Sequence, residues 1–219
     1  MPEKTFHNLT NERQREILTV AYREFTLFDY QTASLSRIIK ELGLAKGSFY
    51  RYFSSKKELY FYLLEKATAE RFEKVEERIN DPNLDLYELL LTNWKDKIVY
   101  ETKHPLESGF FYRVLRERYN KEIGDIEIRL KKEITAKVEQ LLQVKYAGSV
   151  RNDIDPYLLA FTIVQLQFAL YDYLSLRYND DLLQNQQHGK PLYTLHESEV
   201  IEIITAFTSI VKNGISKNQ

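Results

Sequence analysis

Basic and phenolic side chains are concentrated in one short segment of the chain, residues 46–57. Lysine and arginine can pair with phosphate oxygens, and tyrosine and serine hydroxyls can donate to phosphates or to base edges. Gly47 adds no bulk beside them, so a polyanion could approach the backbone closely. The chemistry that these types suit is contact with nucleic acid. The side chains concerned are those of Lys46, Ser48, Tyr50, Arg51, Tyr52 and Lys56.

The segment that must position these side chains, residues 34–59, has the pattern of a helix-turn-helix. Its first part places Leu35, Ile38, Ile39 and Leu42 at three- and four-residue spacing, which predicts a helix with one buried stripe. Gly43 can take a positive φ without strain and so ends that helix. The next helix is very short, with two phenylalanines four apart, at 49 and 53, facing the core. Its basic and phenolic side chains must therefore point outward.

A third helix is predicted to begin after Ser55. The sequence Ser55-Lys56-Lys57-Glu58 is typical of a capping box, in which the serine accepts from a first-turn N–H and the glutamate reaches back to the cap. The alternative for the whole segment is an ordinary pair of amphipathic helices joined by glycine. Charge favours nucleic acid, because residues 34–60 carry a local net charge of +4 in a chain whose total is −1.

The segment from Gly43 to Phe53, followed by Ser55 to Leu59, resembles the signature of the TetR family. In that family a G-V-S-K-G-T-L-Y-x-Y-F run precedes x-S-K-E-x-L. Three positions depart from the pattern: Asp29 stands where glycine usually ends the first helix, Ala33 where threonine often opens the second, and Ile39 where alanine is habitual. We expect Ser34 to act as the cap instead of residue 33.

The resemblance implies that the chain reads double-stranded operator DNA as a transcriptional regulator. Lys46 to Ser48 are then expected at the bases, and the tyrosines and Lys56 at the phosphates. Repression is the usual role in the family, and activation remains open. The expected DNA contacts are Ser34, Ser36, Arg37, Ala45, Lys46, Gly47, Ser48, Tyr50, Arg51, Tyr52 and Lys56.

The whole chain is predicted to be an all-α protein in two domains. It has 219 residues, 43% of them hydrophobic, and β-type alternation is absent over any useful length. We expect a three-helix helix-turn-helix domain at residues 1–58, whose first helix runs from about Asn11 to Phe28, and a helical effector-binding and dimerisation domain at 59–219. Later helices are predicted at about 84–102, 105–119, 121–146, 156–178 and 197–214. Gly148 and the pair Asp155-Pro156 mark a helix end and a helix start.

Composition also limits the compartment and the chemistry. The absence of cysteine excludes disulfides and thiolate sites and fits a reducing cytoplasm. The polar N-terminus predicts no signal peptide, and no run of ~18 apolar residues is evident, so no membrane segment is expected. The four histidines are scattered without a zinc-hydrolase spacing, and no phosphate loop or nucleophile elbow is present. We therefore expect no enzyme activity, metal or cofactor.

The helices predicted at 156–178 and 197–214 are apolar on more than one side. One small domain has a single interior, so the excess apolar surface favours a homodimer built as a two-fold bundle, the alternative being a purely intramolecular core. Pairing through these helices is also what the resemblance implies. The residues predicted for the interface are Leu159, Ile163, Leu166, Leu170, Leu174, Ile203, Phe207 and Ile210.

The region from 85 to 180 is rich in aromatic residues, most of which are expected to be ordinary core. The resemblance implies a pocket there for a small-molecule effector, and the composition favours an amphipathic or aromatic compound. The predicted lining is Trp94, Phe110, Phe111, Arg113, Gln165, Phe168 and Asp172. Effector binding would swing the long helix after Ser55 and change the spacing of the recognition helices. The rival interpretation is a TetR-like co-regulator that binds a protein partner instead of DNA.

Overall fold

The computed structural model describes the backbone of residues 2–117, 119–179, 181–188 and 190–215, and the side chains of these residues except 70–74, 76 and 215. Within these ranges the chain is all-α, as predicted, and no strand is present. The helices are α1 (Lys4–His7), α2 (Asn11–Leu27), α3 (Leu35–Glu41), α4 (Lys46–Tyr50), α5 (Lys56–Ile79), α6 (Leu86–Lys103), α7 (Pro105–Arg116), α8 (Ile126–Val144), α9 (Pro156–Tyr178), α10 (Leu182–Gln187) and α11 (Glu197–Ile215).

The predicted helices correspond to α2–α9 and α11, and two short helices, α1 and α10, were not predicted. The largest boundary difference lies between α7 and α8. There Glu117 leaves the helical conformation, and residues 120–125 form a tight turn in which Asn120 and Gly124 exchange backbone hydrogen bonds. Gly124 has φ +77°, which glycine adopts without strain. The α8 helix therefore begins about five residues later than predicted.

Side-chain oxygens cap most helix starts, which explains where the helices begin. Thr10, Ser34 and Ser55 each accept from a first-turn backbone N–H, as do the aspartates at 85, 125, 155 and 181. Ser34 caps α3 as expected. The predicted capping box is altered in one detail, because the Glu58 carboxylate accepts from N and Oγ of Ser54 at 2.6 and 2.7 Å.

Among the residues that the structure describes, the helices bury three hydrophobic clusters. The first contains the interior of α1–α5 and extends into α7 through Phe110, Phe111 and Val114. The second lies among α6, α7, α9, α10 and α11, and includes Trp94 and Tyr171. The third joins the start of α6 to α8, the first half of α9 and the end of α11. The core of the helix-turn-helix is thus continuous with that of α7, and the domain division at residue 58 stays a prediction.

Helix α9 corrects the expectation that no segment is apolar enough to span a bilayer. By length and composition Pro156–Tyr178 passes that test, with a mean hydropathy of 1.2 over 18 residues. The core helix of a soluble protein passes the same test, and 39% of the window is buried inside the chain. Much of the remaining apolar surface of α9 is exposed.

Candidate nucleic-acid interface and effector cavity

The turn between α3 and α4 is a Schellman motif built on Gly43. The Leu44 N–H donates to the Ile39 carbonyl at 3.1 Å, and the Gly43 N–H donates to the Lys40 carbonyl at 3.2 Å. Gly43 has φ +62°. This geometry ends α3 and redirects the chain sharply into α4.

Two fully buried phenylalanines fix the orientation of α4. Phe49 and Phe53 are 0% exposed, and Phe53 packs against the Phe6 ring of α1 at a centroid distance of 4.9 Å. The opposite face of α4 is open to solvent. It carries Ala45, Lys46, Gly47, Tyr50 and Arg51, with Ser48 and Tyr52 half-buried at its edge. Burial of the two phenylalanines thus leaves the predicted base-contact residues together on the solvent-facing side of α4.

A buried carboxylate ties α3 to α2. Glu24 accepts from the Ser34 N–H at 2.6 Å and from Arg37 Nε at 2.9 Å, while the Arg37 guanidinium lies 4.1 Å from the Phe28 ring centroid. The hydrogen bond to Glu24 raises the pKa of Arg37. Arg37 therefore has an intramolecular structural role, which the prediction of a DNA contact did not include.

Asp29 explains one departure from the family pattern. Its carboxylate accepts from the Thr32 N–H at 2.8 Å and from Thr32 Oγ1 at 2.6 Å, and these bonds lower its pKa. An aspartate bonded to the residues that follow it forms a turn without a glycine. Ala33, the second departure, is buried, so a small apolar side chain suits that position.

Lys56, a predicted phosphate contact, has an intramolecular role in the fold. Its ammonium group donates to the carbonyls of Tyr30 at 2.6 Å, Ala33 at 3.1 Å and Gln31 at 3.3 Å, and it lies 4.6 Å from the Tyr30 ring centroid. Three carbonyl acceptors match the three donors of an ammonium group. Lys56 thus stabilises the loop between α2 and α3. Ser36 is exposed, whereas the Ser34 hydroxyl is used as the α3 cap.

The N-terminal segment contributes to the same surface, which the prediction missed. The Glu3 N–H donates to the Tyr52 carbonyl at 3.1 Å, and Thr5 Oγ1 donates to the Arg51 carbonyl. A groove of about 320 Å³ runs between this segment and α4, lined by Thr5, Asn8, Leu9, Ser48, Arg51 and Tyr52. Phe6 could have indicated that this segment packs on the core, because it is an isolated apolar residue in a polar sequence. It is 0% exposed in the structure.

One face of α7 is bonded to the helix-turn-helix unit. Arg113 Nε donates to the Thr26 carbonyl at 3.1 Å, and Phe110 packs among the rings of Tyr22, Phe25 and Tyr60. These contacts correct the predicted effector lining. Phe110, Phe111 and Arg113 face the N-terminal core because α7 crosses α2 and α5.

Glu117, at the end of α7, extends this connection. Its carboxylate accepts from the Tyr30 N–H and from the Tyr60 hydroxyl at 2.6 Å. Burial raises the pKa of Glu117, and the two hydrogen bonds oppose that shift. Burial and the Glu117 charge raise the pKa of Tyr60, so this hydroxyl remains a donor.

The other face of α7 borders a cavity of about 120 Å³ between α7, α8, α9 and α10. Phe168 and Asp172 line it as predicted, whereas Trp94 is buried in the adjoining cluster and Gln165 is half-buried outside the lining. The full lining is Tyr112, Leu115, Arg116, Glu127, Lys131, Phe168, Tyr171, Asp172 and Leu182. The cavity thus lies one helix away from the helix-turn-helix core.

A buried carboxylate lies behind the cavity wall. Glu101 is 0% exposed and accepts from the hydroxyls of Tyr171, at 3.2 Å, and Tyr193. The Tyr112 and Tyr171 rings are 4.2 Å apart in an edge-to-face arrangement. Sequence patterning did not single out Glu101, which looks like one of many helix-surface carboxylates.

The predicted dimer residues are mostly internal. Leu159, Ile163, Leu170 and Leu174 are at most 3% exposed and pack within the chain, and Leu166 is partly buried against two clusters. Ile203 and Phe207 are half-buried, and Ile210 is 64% exposed. The exposed apolar face of α9 is the other stripe, formed by Tyr157, Leu158, Phe161, Tyr173 and Leu176. Because α9 is apolar on both sides, periodicity alone could not rank its two stripes.

Residues 17–63 match the profile of the bacterial regulatory proteins of the tetR family. An uncharacterized HTH-type transcriptional regulator of Bacillus subtilis strain 168, YhgD, is 25% identical over 167 residues, which are 73% of this chain and 82% of YhgD. The crystal structure of a TetR family transcriptional regulator from Chloroflexus aurantiacus J-10-FL is 25% identical and superposes with a TM-score of 0.71 over 100% of both chains. A complex of SmeT with triclosan shares the fold at 13% identity, with a TM-score of 0.70 over 95% of this chain and 93% of SmeT.

The family match covers most of α2, all of α3 and α4, and the start of α5. The profile covers the helix-turn-helix and its supporting helices, and the Chloroflexus regulator shares the whole architecture, including the helical C-terminal region. In this chain a recognition-type helix with an exposed basic surface is followed by an all-α region with a cavity. Residues 17–63 thus match the helix-turn-helix region of the tetR-family regulators, and the whole chain shares the fold of a TetR family transcriptional regulator.

Proposed function

We propose that the chain is a cytoplasmic, homodimeric repressor that a small-molecule effector releases from operator DNA. The observation that carries the proposal is the exposed face of α4, where Lys46, Tyr50 and Arg51 surround Gly47. In a two-fold dimer, two such helices can enter successive major-groove turns about 34 Å apart. Lys46 and Arg51 are then expected to contact phosphates or guanine edges.

Dimerisation is proposed through the exposed apolar surface of α9 and α11. Leu158, Phe161 and Leu176 on α9 are 53%, 42% and 88% exposed, and Ile210 on α11 is 64% exposed. Soluble monomers seldom leave large side chains exposed in such a row, and burial against the same row of a second copy forms a two-fold helical bundle. This surface replaces the mostly internal stripe predicted from sequence.

Effector control is proposed to pass through α7. A ligand in the cavity would contact Tyr112 and Arg116, whereas Phe110, Arg113 and Glu117 of the same helix contact the helix-turn-helix core. A displacement of α7 would therefore move α2 and α5 with it. Release requires only that the effector bind the displaced arrangement more tightly, by a few kcal/mol. The triclosan complex of SmeT, a protein of the same fold, supports a small aromatic effector.

The DNA-binding part of the proposal is tested by an electrophoretic mobility shift on the DNA upstream of the chain's own gene. We expect salt-sensitive binding, and Lys46→Ala should weaken it and reduce the salt slope by about 1. Lys132→Ala, which removes an exposed lysine of α8, is the matched control and should leave both quantities unchanged. Unchanged affinity and slope in Lys46→Ala would remove that residue from the interface. Absence of salt-sensitive binding to any candidate operator would favour a co-regulator that binds protein.

A further inference from the structure

We propose that the cavity between α7, α8, α9 and α10 selects an organic cation, an ammonium group carried on a small aromatic or aliphatic body. The inference rests on the proposed effector function and adds the charge of the effector. It is argued from the charges of the cavity wall, from its aromatic faces and from the buried carboxylate behind it.

The two cationic side chains of the cavity wall are already neutralised. Arg116 pairs with Asp181 at 2.9 Å, and Lys131 pairs with Glu127 at 2.6 Å. The Asp172 carboxylate, by contrast, is exposed at the edge of the cavity in the single chain, and among the described residues none pairs with it. An anionic ligand would have to compete for paired cations, whereas a cationic ligand meets an available carboxylate. The wall therefore favours positive charge.

The aromatic faces of the cavity already hold ammonium groups. Lys97 Nζ lies 4.1 Å from the Tyr171 ring centroid, and Lys131 Nζ lies 5.1 Å from that of Phe168. Both distances are within the range of cation–π attraction. These rings thus lie within cation–π range of ammonium groups in the chain, and a ligand ammonium would take the place of one of these lysines.

The buried Glu101 carboxylate strengthens this preference. It accepts hydrogen bonds from the hydroxyl of Tyr171, whose ring forms part of the cavity wall, and from the hydroxyl of Tyr193. A phenol that donates to a carboxylate is polarised toward negative charge on oxygen and ring, which strengthens the attraction to a nearby cation. Glu101 therefore acts through Tyr171 and is assigned a positioning role.

The size of the cavity limits the ligand. Its volume of about 120 Å³ is below the ~300–1,000 Å³ of common ligand sites, so fragment-sized compounds are the suitable first probes. Benzylammonium, benzyl alcohol and benzoate have similar size and share one ring, but carry positive, zero and negative charge at neutral pH. Trp94 is the only tryptophan of the chain and lies in the same cluster as Tyr112 and Tyr171, so its fluorescence can report binding.

The experiment titrates the full-length protein with these three compounds, following Trp94 fluorescence and melting temperature. Benzylammonium should bind at least about tenfold more tightly than either of the other compounds. Asp172→Asn should reduce that ratio severalfold, whereas Glu133→Gln, which changes an exposed carboxylate of α8, should preserve it. Glu101→Gln should also lower the ratio, with its fold checked by circular dichroism.

Equal affinities, tighter binding of benzoate, no saturable binding of benzylammonium, or a full preference retained in Asp172→Asn would each overturn the inference. The titrations contain no DNA, so they are independent of the regulatory proposal. Selective benzylammonium binding without any effect on a DNA complex would count against effector release and still support a cation-selective cavity.

Discussion

Gly43 and Gly47 lie four positions apart, and the structure gives them different duties. Gly43 has φ +62° in the turn that ends α3. Gly47 lies within α4, and an added Cβ would meet nothing within 4 Å. Folding therefore requires the first glycine but not the second, whose small size is available for contact with DNA.

Alanine substitutions should separate these duties. Gly43→Ala should destabilise the protein by about 1–2 kcal/mol, because a Cβ is strained in the left-handed region. Gly47→Ala should stabilise α4 by about 0.5–1 kcal/mol, because alanine loses less backbone entropy in a helix, yet it should weaken operator binding. Chemical denaturation and mobility shifts on both variants measure the two effects. Wild-type operator affinity in Gly47→Ala would show that the DNA does not approach this position closely.

Glu117 should make stability depend on pH in a defined direction. Its pKa is raised above the ordinary value near 4.5, so between the two values the folded state binds more protons than the unfolded state. The unfolding free energy contributed by this group is therefore fully present below the ordinary pKa and falls as the pH rises through the raised pKa. Glu117→Gln removes the titration and should gain stability relative to wild type as the pH rises.

Urea denaturation across a pH series checks this prediction. Glu133→Gln, at an exposed position of α8, is the control and should follow the wild-type curve. A constant difference between Glu117→Gln and wild type at every pH would mean that the carboxyl does not titrate differently on unfolding.

Helix α7 links the helix-turn-helix core to the cavity. Its residues contact α2 and α5 on one side and line the cavity on the other. The approach of its neighbours is closest at Gly109, where an added Cβ would lie 2.9 Å from the side chains of both Gln186 and Thr26. Thr26 belongs to α2 and Gln186 to α10, so both helices pack tightly against this point.

Gly109→Ala should therefore destabilise the protein by about 1–3 kcal/mol through overpacking. Adding Gln186→Ala should restore part of the loss, because it removes one of the two obstructing side chains. Gly148→Ala is the control, since an added Cβ there meets nothing within 4 Å. The melting temperatures of the three variants measure these changes in stability. A Gly109→Ala protein as stable as wild type would show that the neighbouring side chains move aside without cost.

The whole molecule presents an apolar surface on α9 and α11 that folding of a single chain leaves exposed. The same helices fill the C-terminal clusters with their opposite faces. Intramolecular packing thus uses one face, and the proposed dimer uses the other. In this arrangement the spacing of the two α4 helices depends on the dimer.

Charges placed on the exposed face should prevent dimerisation. Leu158→Glu combined with Ile210→Glu should yield a folded monomer, because burial of two carboxylates in an apolar interface is costly. Val144→Glu changes another exposed apolar residue, outside this face, and should leave the dimer intact. Light scattering after size-exclusion chromatography measures the mass. A double variant that remains dimeric would place the interface elsewhere.

The helix-turn-helix was predictable because its signals are local. The helical spacing of apolar residues, the turn glycine, the caps Ser34 and Ser55, and the pair Phe49 and Phe53 each act within a few residues. The all-α fold and the helix start at Asp155-Pro156 were predictable for the same reason. Short helices such as α10 were missed because the helix propensity of six residues is too small to stabilise a helix. Packing against neighbouring helices stabilises them instead.

Residue types by themselves determined which side chains could contact DNA, but only the tertiary structure decided which partners they have within the chain. Lys56 and Arg37 bear charges that suit phosphate, yet carbonyls and Glu24 from distant positions already engage them. Likewise, the aromatic type of Phe110 suits either a core or a cavity wall. Because α7 crosses α2, Phe110 packs in the core of the helix-turn-helix and does not line the cavity. The physical reason is that a pattern specifies which face of a helix is apolar, whereas packing across long sequence separations specifies what that face meets.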